Sequence, residues 1–192
     1  MKGGDKVIAI GCSSGGFEAL CAIVGNLPAS LSAPVLIVSH TAPDNHGLLA
    51  SLLNDRCSLE VCEAEDKEAI QKGHVYVAPP GYHLLIERDL TLSLSLDPRV
   101  TYSRPSIDVL FETAAEAYGS DLIAVVLTGA NEDGSTGLKT VSRLGGMCVA
   151  QNPETATVRV MPDFAIATGV TDAVIDLDDI AAFLVSQVGD AA

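Results

Sequence analysis

The sequence predicts an α/β protein with a doubly wound, mainly parallel, Rossmann-like sheet and one antiparallel hairpin, in a single domain spanning residues 1–192. Short apolar runs alternate with segments of helical periodicity along the chain, which is the pattern of repeated βαβ units. The first run, residues 7–10, passes directly into Gly11-Cys12-Ser13-Ser14-Gly15-Gly16. A strand that enters a glycine-rich turn and then a helix is where such folds hold ligands.

The first half of the chain supplies two buried strands and the hairpin. Residues 6–11 are predicted as the first strand, and the apolar residues that follow it recur at helical spacing. Residues 34–38 are apolar throughout, as expected of a strand buried on both faces of a parallel sheet. Further predictions are a helix over 47–53, a strand over 75–78 and hairpin strands over 82–86 and 90–96.

The second half returns to alternation of strands and helices. Ser106 is expected to cap a helix with Ile107, Leu110, Phe111 and Ala114 on one face. Strands are predicted over 122–127, 148–150 and 173–175, and a helix over 134–144 that Gly145-Gly146 ends. Asp178 is expected to cap a last helix.

Composition excludes several classes of protein. Hydrophobic residues make up 48% of the chain, which excludes disorder, and the formal net charge of −14 argues against nucleic acid and anionic membranes as partners. No apolar run approaches the roughly 20 residues of a membrane span, and no signal peptide precedes the first strand. The five scattered cysteines are typical of reduced thiols, so we expect a cytoplasmic protein.

A serine, a histidine and an aspartate follow three predicted strands. Ser13 comes after the first strand, His40 after the second, and Asp133 after the strand over 122–127. Because the carboxyl ends of parallel strands meet at one edge, these side chains are expected to lie together. Serine needs an adjacent base, histidine has the right acidity for that work, and a carboxylate orients the imidazole. The pattern predicts a Ser-His-Asp triad.

Each member of the triad has another interpretation when it is taken alone. Ser13 suits an anion-binding turn at a helix start, His40 suits a half-buried histidine without a role, and Asp133 suits the N-cap of the helix that follows it. Their meeting at one sheet edge favours the catalytic interpretation.

Three other histidines are weaker candidates for the base. His46 lies at a predicted helix start, His74 precedes a strand and belongs at the amino edge of the sheet, and His83 lies in the hairpin. We therefore expect His40 to be the base.

Cofactor and metal sites are disfavoured. Ser13 replaces the middle glycine of a dinucleotide-binding turn, and His40 stands where an acidic residue would bind ribose. No Gly-Lys-Ser/Thr follows the strand, so a P-loop is excluded. Cys57 and Cys62 have an odd separation that would place them on opposite faces of a strand, and no histidine pair supports a metal site there. We expect neither a cofactor nor a metal.

An ordered set of motifs covers nearly the whole chain: residues 8–16, 37–40, 73–79, 104–111, 127–129 with 133–134, 150–152 and 161–162. In content and order this set resembles the catalytic domain of CheB-type chemotaxis protein-glutamate methylesterases. Ser13, His40 and Asp133 match the family's triad positions. The resemblance implies hydrolysis of γ-glutamyl methyl esters on the cytoplasmic helices of chemoreceptors, with glutamine deamidation in some members and no cofactor.

The resemblance also implies an oxyanion hole and leaves the substrate class open. The backbone N–H groups of Ser14 and Ala130 are the expected donors to the oxyanion. Ala130-Asn131-Glu132 replaces the family's usual Met-Gly-Asn, and Val160 replaces a common glycine. No phosphoreceiver domain is expected within residues 1–192, so a separate receiver would be a partner. The alternatives are a serine esterase or amidase with another substrate, and a catalytically degenerate receptor-binding module.

Overall fold

Nine strands and six α-helices alternate along residues 6–40 and 47–188, which the computed structural model describes. In chain order they are β1 (Val7–Cys12), α1 (Gly16–Val24), β2 (Val35–Ser39), α2 (Leu48–Asn54), β3 (Glu60–Glu63), β4 (His74–Val77), β5 (His83–Ile86), β6 (Leu92–Ser95), α3 (Ile107–Tyr118), β7 (Leu122–Val126), α4 (Ser135–Arg143), β8 (Met147–Gln151), α5 (Val160–Ala167), β9 (Ala173–Ile175) and α6 (Leu177–Val188). Two short 3₁₀ turns, Gly119–Asp121 and Pro153–Thr155, complete the set of helical segments in these ranges.

Seven of the strands form one parallel sheet in the order β3-β4-β2-β1-β7-β8-β9. β1 is central, with β2 on one side and β7 on the other, so the direction of strand order reverses beside it. At such a switch point the loops after neighbouring strands diverge and leave a crevice at the carboxyl edge. β5 and β6 pair antiparallel in a separate hairpin.

Side chains of β1 alternate between two hydrophobic clusters because successive residues of a strand face opposite sides of the sheet. Val7 and Ala9 pack with α3, α4, α5 and the hairpin, whereas Ile8 and Ile10 pack with α1, α2 and α6. Both faces of the central strands are therefore covered. Full burial of each such large apolar side chain contributes about 1.5–3 kcal/mol, so these strands anchor the carboxyl edge firmly.

The predicted fold class is confirmed, and the predicted strands and helices are found to within a few residues. Two elements were missed. β3 is a four-residue edge strand with glutamate at both ends, which conceals its apolar alternation. α5 contains Pro162, a helix breaker in general, but proline is tolerated here because it lies in the first turn.

Ser106 is the N-cap residue of α3, as predicted, but its hydroxyl makes no capping hydrogen bond and donates to Asp133 instead. The predicted cap of the last helix is wrong. α6 begins at Leu177, so Asp178 lies inside its first turn rather than before it. Of the cysteine pair that was considered as a metal site, β3 includes only Cys62, and Cys57 precedes the strand.

None of the helices in the described part of the chain combines the length and the apolar character needed to cross a membrane.

Candidate active site

Ser13 lies in a tight turn between β1 and α1. Its N–H donates to Thr128 O at 2.9 Å, and its carbonyl accepts from Gly16 N at 2.8 Å, so both sides of the serine are fixed. The turn closes through Gly15, whose φ of 77° is in the left-handed region that glycine adopts without strain. Ser13 is half-buried at the start of α1, at the carboxyl edge of the sheet.

Cys12, the residue before Ser13, is not a competing nucleophile. It is fully buried, and burial raises the pKa of its thiol to about 12. A thiol that keeps its proton at neutral pH is a poor nucleophile.

His40 follows β2 directly and is linked to the Ser13 turn through the backbone. Its N–H donates to Cys12 O at 3.1 Å, one residue before Ser13. Its ring nitrogen Nε2 lies 2.9 Å from Asp133 Oδ2, with 15% of the imidazole exposed and none of the carboxylate. Because Nε2 faces Asp133, Nδ1 is the ring nitrogen left for a reacting group.

Asp133 is held by four hydrogen bonds. Besides His40, its donors are Ser106 Oγ at 2.9 Å, Ile107 N at 2.8 Å and Asp108 N at 3.0 Å. Burial by itself would raise the pKa of Asp133, but the hydrogen bonds from His40, Ile107 and Asp108 outweigh burial and lower it. The carboxylate is therefore ionised at neutral pH, although it is fully buried. It satisfies the N-terminus of α3, not of the helix that directly follows it.

Asp108 does the same for α4. Its Oδ1 accepts from Gly134 N at 2.9 Å and from Gly137 N at 2.7 Å. Burial, with a further contribution from the negative charge of Asp133, raises the pKa of Asp108 to about 6. The two aspartates thus cap each other's helices, a relation that no local sequence pattern indicates.

His83 extends this network on the far side of Ser106. It is buried in β5, its Nδ1 accepts from Ser106 N at 3.2 Å, and its Nε2 faces Pro98 O at 3.2 Å. These partners require the neutral tautomer with the proton on Nε2. His83 therefore holds the backbone of Ser106, which binds Asp133, and does not occupy the position of the base.

His74 does not reach this site. His74 opens β4 at the amino edge of the sheet, as predicted, and contacts Glu60 Oε2 at 3.3 Å. His46 lies outside the described residues.

Ser14 follows Ser13 in the turn after β1, and Ala130 lies in the loop after β7. Both residues are exposed, and within residues 6–40 and 47–188 neither N–H donates to a protein acceptor. Thr128 Oγ1 holds the Ser14 carbonyl at 2.8 Å, and Gly129 N donates to Val158 O at 3.0 Å. The two segments are therefore fixed while these two N–H groups stay free, as an oxyanion hole requires.

Gly129, in the loop after β7, lies close to both the serine turn and Met161. A Cβ placed there would lie 2.6 Å from Met161 Cε and 3.0 Å from Ser13 Cβ. The buried Met161 has little room to move, so a side chain at position 129 would push on Ser13.

We expect Gly129→Ala to lower kcat for ester hydrolysis by roughly 10-fold, because a Cβ at 3.0 Å from Ser13 Cβ shifts the serine by less than the roughly 1 Å that costs about 100-fold. Steady-state kinetics and thermal unfolding of the variant check this. A variant with wild-type kcat would show that the serine turn adjusts without consequence.

A depression of about 380 Å³ adjoins the site, lined by the loop Ala130-Asn131-Glu132, by Thr101, Tyr102 and Ser103, and by Val160 and Phe164. Its lining is mostly apolar, and Tyr102 at its rim is 93% exposed. The loop that departs from the family pattern therefore forms one wall of this depression.

No cluster of three or more histidine, cysteine, aspartate or glutamate side chains suited to a metal occurs in the part of the chain that the structure describes.

Comparison with known proteins identifies the family to which this chain is similar. Residues 8–184 match the family model described as CheB methylesterase. The chain is 48% identical over 176 residues to the putative protein-glutamate methylesterase/protein-glutamine glutaminase of Leptospira interrogans, covering 92% of this chain and 91% of that protein. Identity to the protein-glutamate methylesterase/protein-glutamine glutaminase of Clostridium acetobutylicum is 35%, covering 92% of this chain and 51% of that protein.

The fold matches a solved structure as well. The crystal structure of the Thermotoga maritima CheB methylesterase catalytic domain superposes with a TM-score of 0.94 at 36% identity, covering 98% of this chain and all of that one. The chain thus spans 91% of the length of the Leptospira relative and 51% of the length of the Clostridium relative.

Proposed function

This chain belongs to the CheB methylesterase family, as its motifs predict, and we propose that Ser13, His40 and Asp133 are the triad with which it hydrolyses methyl esters of glutamate side chains on chemoreceptors. The observation that carries the proposal is the 2.9 Å bond between His40 and a buried Asp133, next to the turn that holds Ser13. Burying a charged carboxylate costs free energy unless the charge is paired and hydrogen-bonded, as Asp133 is with His40.

In the first half-reaction Ser13 Oγ attacks the ester carbonyl and His40 Nδ1 takes the serine proton. The imidazolium that forms is stabilised by Asp133, whose lowered pKa keeps it ionised. His40 then protonates the departing methoxide, and methanol leaves an acyl-serine behind.

In the second half-reaction water attacks the acyl-serine. His40 takes a proton from the water, the glutamate carboxylate forms, and Ser13 recovers its proton. The sum is ester plus water giving glutamate, methanol and one proton released to solvent, with no cofactor.

The N–H groups of Ser14 and Ala130 are proposed to hold the oxyanion in both steps. One donor of this kind is typically worth about 3 kcal/mol of transition-state stabilisation. The replacement of methionine by Ala130 changes the wall of the site but leaves the backbone donor in place.

The same attack on a glutamine amide would release ammonia, which is consistent with the glutaminase activity in the relatives' names. The substrate is proposed to be the cytoplasmic helices of a methylated receptor, so the protein acts in the cytoplasm. Control by a separate phosphoreceiver protein or domain belongs to the same proposal. Since the chain carries a net charge of −14, docking on acidic receptor helices needs local contacts, and the apolar depression beside Ala130 supplies such a surface.

Methanol release tests the function directly. The protein is incubated with a methylated receptor cytoplasmic fragment, with the same fragment unmethylated, and with p-nitrophenyl acetate. We expect methanol only from the methylated fragment, with kcat/KM at least about 100-fold above that for the small ester, because remote binding energy is used in the transition state.

Two other results would overturn the proposal. Comparable or better turnover of the small ester would favour a serine hydrolase of different substrate class. Receptor binding without hydrolysis of either ester would favour a catalytically degenerate binding module.

A further inference from the structure

We propose that Asp108 is a positioning residue for the triad: it fixes the start of α4 and thereby the place of the Asp133 carboxylate beside His40. The expected loss of kcat rests on the proposed function, whereas the expected displacement of the Asp133 carboxylate rests on geometry alone. Asp108 touches neither Ser13 nor His40 and has no part in the reaction steps above.

The two aspartates are joined in both directions. Asp108 Oδ1 accepts from Gly134 N, the peptide directly after Asp133, and from Gly137 N one turn further. In return Asp133 Oδ1 accepts from Asp108 N. A shift of the first turn of either α3 or α4 therefore breaks hydrogen bonds of both helices. These reciprocal bonds fix the position of the Asp133 carboxylate.

The set is tightly packed on the side of α3, and on its other side Asp108 lines a polar depression of about 260 Å³. Asp108 is 5% exposed, and a Cβ at Gly137 would lie 2.6 Å from Phe111 Cβ and 3.2 Å from the Asp108 backbone. No replacement acceptor can enter from the side of α3, and Gly134 and Gly137 are buried. Without Asp108 these two N–H groups must move toward water, and Asp133 moves with them.

Both bonds to α4 use a single oxygen of Asp108. An asparagine that places its carbonyl oxygen at the Oδ1 position therefore keeps them, whereas alanine removes both. The charged groups that face Asp108 are Asp133 and Glu132 from the β7 loop, Lys139 from α4 and Glu112 on its own helix. The neutral amide also removes the repulsion from Asp133, so Asp108→Asn is the conservative variant that separates position from charge.

The kinetic test compares Asp108→Ala, Asp108→Asn and Glu116→Ala in the methanol-release assay. Glu116 is an exposed carboxylate on the same helix and is the matched control. We expect kcat to fall roughly 100-fold in Asp108→Ala with KM unchanged, to stay within about fivefold in Asp108→Asn, and to be unaffected in Glu116→Ala. Equal losses in the alanine and asparagine variants, or wild-type kcat in a folded Asp108→Ala, would overturn the proposal.

A spectroscopic test needs no substrate. The His40 ring proton shared with Asp133 gives a low-field proton resonance, which we expect to shift or vanish in Asp108→Ala and to persist in Asp108→Asn. If Asp108→Ala does not fold, Asp108→Ser takes its place, because its shorter side chain cannot reach both N–H groups. An unchanged resonance in the serine variant contradicts the role of Asp108, whereas a wild-type protein that releases no methanol contradicts only the proposed function.

Discussion

Ser13→Ala is expected to reduce methanol release from a methylated receptor fragment by a factor of about 10⁴ or more. Loss of the nucleophile removes the acyl-serine route altogether, and what remains over the uncatalysed rate comes from the oxyanion donors and binding. The measurement is single-turnover methanol release at saturating protein, which separates chemistry from substrate binding.

The folded state of the Ser13→Ala variant should be unchanged. The turn is held by backbone bonds to Thr128 and Gly16, which alanine keeps, so the free energy of unfolding should change by no more than about 0.5 kcal/mol. Ser51→Ala, at an exposed position on α2, is the matched control and should retain full activity. Undiminished methanol release by Ser13→Ala would mean that another group is the nucleophile.

Asp133→Asn is expected to lower kcat by roughly 10³- to 10⁴-fold while leaving receptor binding intact. The amide offers one accepting oxygen where the carboxylate offers two, and it neither holds the His40 tautomer nor stabilises the imidazolium. Of the four donors around Asp133, some lose their acceptor, which should cost roughly 2–4 kcal/mol of unfolding free energy.

The pH dependence of stability gives a second measurement on the same variant. Because the pKa of Asp133 is lowered in the folded protein, its ionisation stabilises the fold above the unfolded pKa of about 3.9, and that stability is lost as the pH falls through the folded pKa. The difference in melting temperature between wild type and Asp133→Asn should therefore shrink in acid.

Asp108→Asn is expected to change the pH dependence of stability in the opposite direction. The pKa of Asp108 is raised to about 6, so its contribution is present in acid and is lost as the pH rises through about 6. The asparagine variant should gain stability relative to wild type above that pH. Parallel pH profiles for the two variants would contradict the assignment of opposite pKa shifts.

Local patterns were sufficient to predict most of the sheet and the placing of the triad candidates. The buried strands are short apolar runs bounded by glycine or polar residues, and parallel strands bring their carboxyl ends to one edge by necessity. Ser13 and His40 follow their strands directly, so predicting that they lie at one edge required only the positions where the strands end.

The hydrogen-bond partners of two polar residues could not be predicted, because each has both a local and a distant partner available. Ser106 has the residue type and position of a helix cap, yet its hydroxyl donates to Asp133, 27 residues away. Asp133 in turn precedes α4 but caps α3. Sequence order favours the local bond in each case, and only the packing of the two helices makes the distant one available.

Fold class, strand ends and family can therefore be predicted from the chain alone, because they follow from the periodicity of apolar residues and from motifs along the chain. How the carboxylate of Asp133 is held depends on the packing of distant segments. Its partners come from α3 and β2, and the reciprocal bonds of Asp108 exist only once α3 and α4 pack with their first turns together. Hydrogen bonds are short-ranged and directional, so the choice between partners is made by the final positions of both helices.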